Sequence, residues 1–541
     1  MTNVAAVASR QRVRRWLALA ALVLFVLLVL FAVYWLRDRS PAIMPPAAAP
    51  VPEVRAVARV WLSTADRRLR LAQQPDAVAS DRTATADEVV IDLEQKYQTM
   101  VGFGAALTDS SAWLIQNKLG GQQRAALLRE LFGPPPGLNF NMLRVSIGAS
   151  DFSLQHYTLD DLGAGQIDPQ LQHFNTAVDQ RNVIPLLHAI LTLRPQLRII
   201  ASPWSAPAWM KTSANLISGT LLEEYQATYA NYLVRYVDAF RKFGIPIFAL
   251  TVQNEPDFEP LTYPGMLLAD EVRARIIGQY LGPALASRQP RTLILGWDHN
   301  WDAPQEPLSV LADPDAARYI DGIAWHCYRG NPGAQTQVHR AFPKKDVYLT
   351  ECSGGDWPSS KNGELLLFAR NIVMGAIKNW ARGVVYWNLA LDEQHGPHAG
   401  GCDACKGVVT IDANTGAVSR NDEYYAFAHF SRFVLPGAAR VRSSAASDGM
   451  DNVAFQNEHG GAVVLVVVNG NEQKHRVSVR QGVTRFQYDL PGHSVATFVW
   501  PPAPTVAPAP ARSSTPAQPA SSTPHTSTPV AATSAAPTAV Q

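Results

Sequence analysis

Ile247-Phe-Ala-Leu-Thr-Val-Gln-Asn-Glu-Pro256 is a run of apolar and β-branched residues that ends abruptly in Asn254-Glu255-Pro256. A buried parallel strand reads this way when its C-terminal end delivers an acidic side chain to a solvent-open mouth. The design recurs at Asp346-Val-Tyr-Leu-Thr-Glu351, a short apolar strand closed by a glutamate and followed by Cys352-Ser353-Gly354-Gly355. Two strands that each end in Glu suggest paired carboxylates, the arrangement that cleaves glycosidic bonds. Asn-Glu-Pro alone carries little information, because such a tripeptide fits any surface turn; the second strand gives it weight.

Working outward, six further segments have the same texture. They are Met100–Gly104, Met142–Ser146, Arg198–Ser202, Thr292–Gly296, Gly322–Trp325 and Gly383–Tyr386. With Ile247–Val252 and Val347–Thr350 they make eight strands separated by helical stretches, the pattern of a (β/α)8 TIM barrel with its active site at the strand C-termini. One helix is explicit: Tyr225, Tyr229, Tyr232, Tyr236 and Phe240 recur at spacings of three and four, and Gly244 closes it. Its aromatic stripe reads as a face packed on the barrel.

Both flanks of the barrel are strand-rich without helices. Val57–Thr64 and Glu88–Leu93 lie before it; Val453–Phe455, Ala462–Asn469, Arg476–Val479, Arg485–Tyr488 and Val495–Trp500 follow, divided by Gly, Asn and Pro turns. This is an antiparallel β-sandwich pattern, with N- and C-terminal strands sharing one side domain. The expected organisation is 57–98 for the N-terminal sandwich strands, 99–435 for the barrel and 436–501 for the C-terminal sandwich strands.

Trp16 to Leu36 is an uninterrupted apolar run, long enough to cross a bilayer as a helix. Arg10, Arg12, Arg14 and Arg15 precede it, so residues 1–15 read as a basic cytoplasmic segment and 16–36 as a transmembrane anchor, with the catalytic part outside (periplasmic or extracellular). A cleaved signal peptide is the alternative, but the run is long for one and no small-x-small site closes it. Residues 37–56 form a Pro/Ala-rich spacer, and 502–541 a Pro/Ala/Ser/Thr tail expected to be disordered. Lys and Arg number 47 against 45 Asp and Glu, a balance that gives no reason to expect nucleic acid as a partner. The 13 Trp and 16 Tyr suit a sugar binder, although core packing accounts for most of them.

In a retaining glycosidase one carboxylate attacks the anomeric carbon while the other protonates the leaving oxygen. Glu255 is assigned as acid/base and Glu351 as nucleophile, with the charge of one expected to raise the pKa of the other. No cofactor or metal is required.

The motifs around these residues resemble glycoside hydrolase family 30, which contains the acid β-glucosylceramidases. The likeness rests on Gly102-Phe-Gly104 with Thr108-Asp109, Leu143-Arg-Val145 with Gly148–Phe152, and Ser202–Lys211. It continues through Gln253–Pro256, His326-Cys-Tyr328, Thr350-Glu351 and Trp387–Leu391. The resemblance implies a (β/α)8 barrel with a side β-sandwich and retention of configuration. It also implies that Asp109, Trp204, Asn254 and Trp387 hold the sugar, Asn254 through its 2-hydroxyl. By the same resemblance, Arg144, His326 and Tyr328 orient and tune Glu351, while His299 reaches toward the leaving-group side. Taken from the residues alone, Arg144 reads first as a structural salt bridge inside the barrel and His326 as a satisfied core histidine.

After the eighth strand the chain reads His395-Gly-Pro-His-Ala-Gly-Gly-Cys-Asp-Ala-Cys-Lys-Gly407. This departs from the mammalian-type glucosylceramidases and resembles family members that cleave β-1,6-glucan. His395, His398, Cys402 and Cys405 have zinc-like spacing, but a Cys402–Cys405 disulfide is the simpler reading in an exported protein. Cys327 and Cys352 are expected to be free buried thiols, because alternation turns them away from the mouth. The sequence therefore supports a membrane-anchored retaining β-glucosidase acting on a glycolipid or β-glucan. Glucosylceramidase-like activity is the first reading, endo-β-1,6-glucanase the second, and a non-catalytic glycan-binding module the rival from another class.

Overall fold

The computed structural model describes residues 5–37, 56–80, 88–357 and 363–502. The tail from 503, and the spacer apart from its end residues Arg37 and Ala56, lie outside this description. The N-terminal unit is a single helix, Ala5–Arg37, whose apolar stretch Arg15–Arg37 is long enough to cross a membrane. A signal sequence would have the same length and composition.

In the second unit, β1 (Ala56–Thr64), β2 (Ala72–Val78) and β3 (Val89–Thr99) come first. The next eight strands are β4 (Gly102–Ala106), β5 (Met142–Ile147), β6 (Arg198–Pro203), β7 (Ala249–Thr251), β8 (Leu293–Asn300), β9 (Ile320–His326), β10 (Asp346–Glu351) and β11 (Ala381–Tyr386). They close into a barrel in the order β10-β11-β4-β5-β6-β7-β8-β9, every neighbouring pair parallel. All eight expected strands are therefore present. Apolar side chains fill the barrel's interior, including Met142, Ile200, Leu295 and Tyr348, so it is a packed core rather than a pore. The helix Gln226–Lys242 lays Tyr229, Tyr232, Tyr236 and Phe240 into the core, as its periodicity predicts.

A small sheet of β12 (Ala390–Leu391), β13 (Val409–Ile411) and β14 (Val418–Arg420) follows. The chain ends in β15 (Ala439–Ser443), β16 (Met450–Gln456), β17 (Val463–Asn469), β18 (His475–Gln481), β19 (Thr484–Leu490) and β20 (Ser494–Trp500). N- and C-terminal strands do share one domain. Their hydrogen bonds link them into one nine-stranded sheet in the order β19-β18-β3-β15-β16-β17-β20-β1-β2, which folds over so that Phe486 of β19 packs against Phe498 and Trp500 of β20. The pair β18·β3 is parallel, because β3 enters between strands contributed from the far end of the chain. The sheet curls until Ala79, just past β2, pairs with Phe486 of β19 and covers both edges.

Barrel and sheet are joined through the helix Asp422–Ser431. Its His429 is fully buried, with Nδ1 2.8 Å from Thr497 Oγ1 on β20 and Nε2 2.9 Å from Ser63 Oγ on β1. The Thr497 hydroxyl donates to the His429 carbonyl, so its oxygen accepts from Nδ1–H and the ring is neutral. Burial, helped by Arg432, pulls the His429 pKa down to about 3. The folded value lies below the unfolded one, so this group's stabilisation is complete above pH 6.5 and is lost as pH falls toward 3. Urea denaturation should show stability dropping in that window by up to about 1.4 kcal/mol per pH unit from this group. His429→Gln, which cannot titrate, should flatten the slope, and an unchanged slope would contradict the assignment.

Candidate active site

The site assembles around Arg144, which β5 carries into the barrel mouth. Its guanidinium is fully buried, so its charge must be met by acceptors buried with it. Nη1 donates to Glu351 Oε2 at 2.5 Å at the end of β10. Nη2 donates to Asn254 Oδ1 at 2.7 Å and Asp298 Oδ2 at 2.8 Å. Trp204 and Trp387, stacked with centroids 5.3 Å apart, present their rings 4.9 and 5.7 Å from the guanidinium carbon.

Asp298 is the residue that sequence reasoning missed. It is completely buried on β8 and accepts from Arg144, from the hydroxyls of Ser202 (2.6 Å), Thr251 (2.8 Å) and Thr350 (2.7 Å), and from His326 Nε2 (3.1 Å). Burial pushes its carboxyl up, but Arg144 and His326 outweigh that and hold it well below the usual carboxylate range. Regular alternation would send Asp298 and His299 to opposite sides of the strand. A register shift between Trp297 and His299, with positive φ at Trp297 (70°) and Asp298 (100°), turns both into the mouth. Nothing in the spacing of Gly296-Trp-Asp-His-Asn300 announces a bulge.

Glu255 stands just past β7 at φ 48°, a left-handed conformation that is costly for a non-glycine residue. Its Oε1 lies 3.1 Å from His326 Nδ1 and 3.2 Å from His299 Nε2. His326 is 3.9 Å from Glu351, so it serves mainly Glu255 and Asp298 rather than Glu351 as expected. Tyr328 does reach the predicted partner, donating its hydroxyl to Glu351 Oε1 at 2.9 Å. One donor atom from each of Glu255, His326 and Glu351 falls within 4.8 Å of the others, which puts the two carboxylates face to face.

The expectation that the Glu351 charge keeps Glu255 protonated is corrected by this arrangement, because Arg144 sits directly on Glu351 and offsets its charge. Burial raises the Glu255 pKa, and hydrogen bonds from His299 and His326, where those rings are cationic, pull it below the usual range. For His299, burial opposes the charged form, while Asp257 and Glu255 draw its pKa up to about 10. Asp151, a third carboxyl in the mouth, is pushed well up by burial, then by the charges of Glu351 and Glu255.

Asp109 and Asn254, expected to hold the sugar, are both buried. Asp109 opens the helix Asp109–Asn117 behind β4 and accepts from the Tyr157 hydroxyl at 2.9 Å. Burial pushes its pKa to about 6, against hydrogen bonds from Ser153 and Tyr157. Asn254 gives its Oδ1 to Arg144, which leaves Nδ2 as its outward group.

All four cysteines are in disulfides. Cys402–Cys405 forms as the simpler reading had it, and the nearby histidines are occupied elsewhere. His395 Nδ1 meets the Cys405 carbonyl at 3.1 Å, and His398 Nδ1 the Gly400 carbonyl at 3.0 Å. The free-thiol reading of Cys327 and Cys352 is wrong: they are bonded to each other, with Cα atoms 5.3 Å apart. Both do turn away from the mouth, but β9 and β10 are adjacent, so the same alternation brings their sulfurs together.

Asp298→Asn should expose how much depends on this cluster. It removes half the charge that compensates a buried guanidinium, and should cost about 3 kcal/mol of stability in urea denaturation. A variant as stable as the parent would show that Glu351 alone suffices to compensate Arg144.

The family model for the glycosyl hydrolase family 30 TIM-barrel domain matches residues 100–434, and that for the family's β-sandwich domain matches 437–498. The chain is 37% identical over 435 residues to the endo-1,6-β-D-glucanase neg1 of Aspergillus fumigatus, covering 75% of this chain and 86% of that one. It is 30% identical over 474 residues to the lysosomal acid glucosylceramidase of Mus musculus, covering 83% and 90%. Among solved structures it resembles an endo-β1,6-glucanase, with a TM-score of 0.75, 31% identity and coverage of 83% of this chain and all of that one. With barrel, side domain and facing carboxylates all accounted for, the chain belongs to glycosyl hydrolase family 30 and is a glycosidase.

Proposed function

We propose that the chain is an endo-β-1,6-glucanase that works by double displacement, with Glu351 as nucleophile and Glu255 as acid/base. The observation that carries the chemistry is the facing pair of carboxylates, with donor atoms within 4.8 Å, close to the spacing of retaining enzymes. Arg144 and Tyr328 each donate to Glu351 and fix its two oxygens, as attack on the anomeric carbon requires. Trp204, Trp387, Asp109 and the Asn254 amide form the pocket for the sugar whose bond is cut. A glycan-binding module would have no use for a buried carboxylate pair.

For the substrate, the relatives named endo-1,6-β-D-glucanase are more similar, at 37% in Aspergillus fumigatus and 36% in Trichoderma harzianum, than the mouse glucosylceramidase at 30%. This reverses the order of preference drawn from the sequence and favours a polysaccharide over ceramide. The loop His395–Gly407 supports the same choice. Its Cys402 and Cys405 pack with Phe152, Trp204 and Trp387, so it shapes the mouth directly. The N-terminal helix is read as an anchor that holds the enzyme on the outer face of a membrane, where extracellular glucan is accessible.

Glu351→Gln should lower kcat/KM by at least about 10³-fold, and Glu255→Ala should stall the second step until azide replaces the water that needs a base. Full activity in either variant would remove its assignment. Parallel assays on β-1,6-glucan, glucosylceramide and an aryl β-glucoside should give oligosaccharides from the glucan and leave the lipid intact. Ceramide release with inert glucan would restore the glucosylceramidase reading.

A further inference from the structure

Asn300, the last residue of β8, makes two kinds of contact that together decide where a proton sits. Its Oδ1 accepts from the backbone N–H of Tyr328 at 2.9 Å and of Arg329 at 3.2 Å. Two donors on one oxygen fix the orientation of the amide, so Nδ2 is the end that faces His299, 2.9 Å from Nε2. An N–H aimed at a ring nitrogen needs a lone pair there. The other nitrogen, Nδ1, faces the carboxylate of Asp257, which can only accept, so Nδ1 carries the ring hydrogen.

We infer that Asn300, with Asp257, fixes His299 as a neutral Nδ1–H imidazole and thereby keeps the transferable proton on Glu255. This rests on the reading of Glu255 as the acid/base and makes His299 and Asn300 positioning residues for it. An imidazolium at His299 would point its Nε2–H at the N–H of Asn300 across 2.9 Å. With its Nε2 lone pair met by the amide N–H, the neutral ring brings no positive charge to Glu255 Oε1, 3.2 Å away, so nothing at His299 favours the carboxylate.

The surrounding charges set the balance this amide tips. Asp257 and Glu255 attract a proton to His299, and on charge alone that pull, which draws the ring's pKa up to about 10, would make it an imidazolium. The amide N–H 2.9 Å from Nε2 leaves no room for a ring hydrogen there and opposes it. Arg273 lies near enough to Asp257 to feel its charge. Glu255 is faced by His326, whose far nitrogen is held on Asp298, and by Glu351, Asp151, Tyr263 and Tyr328. In the first step a Glu351 oxygen bonds to the anomeric carbon as the glycosidic C–O bond breaks. Its electron pair leaves with the departing oxygen, which takes the proton from Glu255. The resulting carboxylate faces the Nε2 lone pair, an arrangement that favours recovering a proton. In the second step Glu255 takes that proton from the water whose oxygen attacks the same carbon and frees Glu351. The cycle closes with no other proton source.

The test is Asn300→Asp in the intact chain. The change is isosteric and keeps an acceptor for Tyr328 and Arg329, but it puts an oxygen where His299 now meets an N–H. His299 should become an imidazolium and Glu255 a carboxylate. On phenyl β-glucoside, whose leaving group needs a proton, kcat/KM should fall about 10²-fold and its alkaline limb should shift. On 2,4-dinitrophenyl β-glucoside, which needs none, it should stay within about threefold. Adding Asn300→Asp to His299→Gln should have no further effect, because glutamine cannot take up the charge. Equal losses on both glucosides, or a full loss in the double variant, would overturn the inference.

Should Asn300→Asp not fold, ¹⁵N imidazole spectra of the parent, assigned with His299→Gln, decide the same question. A neutral Nδ1–H ring from pH 6 to 8 is expected, and an imidazolium signature would overturn the inference. Absence of turnover by the parent on both glucosides and on β-1,6-glucan would instead count against Glu255 as a glycosidase acid, and the spectra would still report the state of His299.

Discussion

A guanidinium with no exposure to water is tolerable only if its charge is met by groups buried alongside it, and Arg144 imposes that demand on the whole barrel mouth. Glu351 comes from β10, Asp298 from β8, Asn254 from the end of β7, and Ser202 from β6 at 3.3 Å. Four strands must therefore stop in the right register for one side chain to be buried. The same bonds that compensate the charge also position Glu351, the proposed nucleophile. In the proposed reaction Glu351 loses its charge when it is esterified, while Arg144 keeps Asp298 and Asn254. The cluster can thus pass through the covalent intermediate without leaving a buried cation unpaired.

Asp298 lets this arrangement span both carboxylates. One of its oxygens takes Arg144, which reaches Glu351, and the other takes His326, which reaches Glu255. Glu351 and Glu255, the proposed nucleophile and acid/base, are coupled through a fully buried group. Its five donors leave it little chance to be protonated, so it acts as a fixed negative charge. The positive φ angles beside it show the backbone strained to place that charge, and the ion pair with Arg144 is what holds the strain.

What the sequence discloses follows from the range of the interactions. Strands ending in Glu255 and Glu351 are legible because a buried parallel strand is continuously apolar and its polar stop is local. The aromatic face of Gln226–Lys242 is legible for the same reason, as a period. The Cys327–Cys352 bond is not, since it depends on β9 and β10 being neighbours, and 25 residues separate the two cysteines. Asp298 is hidden by a bulge, a local count of residues that leaves no compositional mark. The curled nine-stranded sheet is hidden because β3 pairs with strands from the opposite end of the chain. His326 is shared, hydrogen-bonded to Glu255 and within 4 Å of Glu351, whose charge draws the ring's pKa up, and the sequence cannot show that sharing.

The two halves of the mouth differ in how they are built, and that difference bears on specificity. Arg144 and Glu351 lie within strands of the closed barrel, with Trp204 and Trp387 one residue beyond strand ends, where packing on all sides leaves little freedom. Such a scaffold suits the sugar whose bond would be cut. The remaining wall comes from the Glu255–Leu268 segment and from His395–Gly407, where the Cys402–Cys405 bond and the packing on Phe152 supply the rigidity that strands provide elsewhere. Loops accept substitution without disturbing the ion-pair cluster beneath them. A chain can therefore keep Arg144, Asp298 and both glutamates while exchanging one leaving group for another, and a glucan chain and a ceramide need differ only in the loops that meet them.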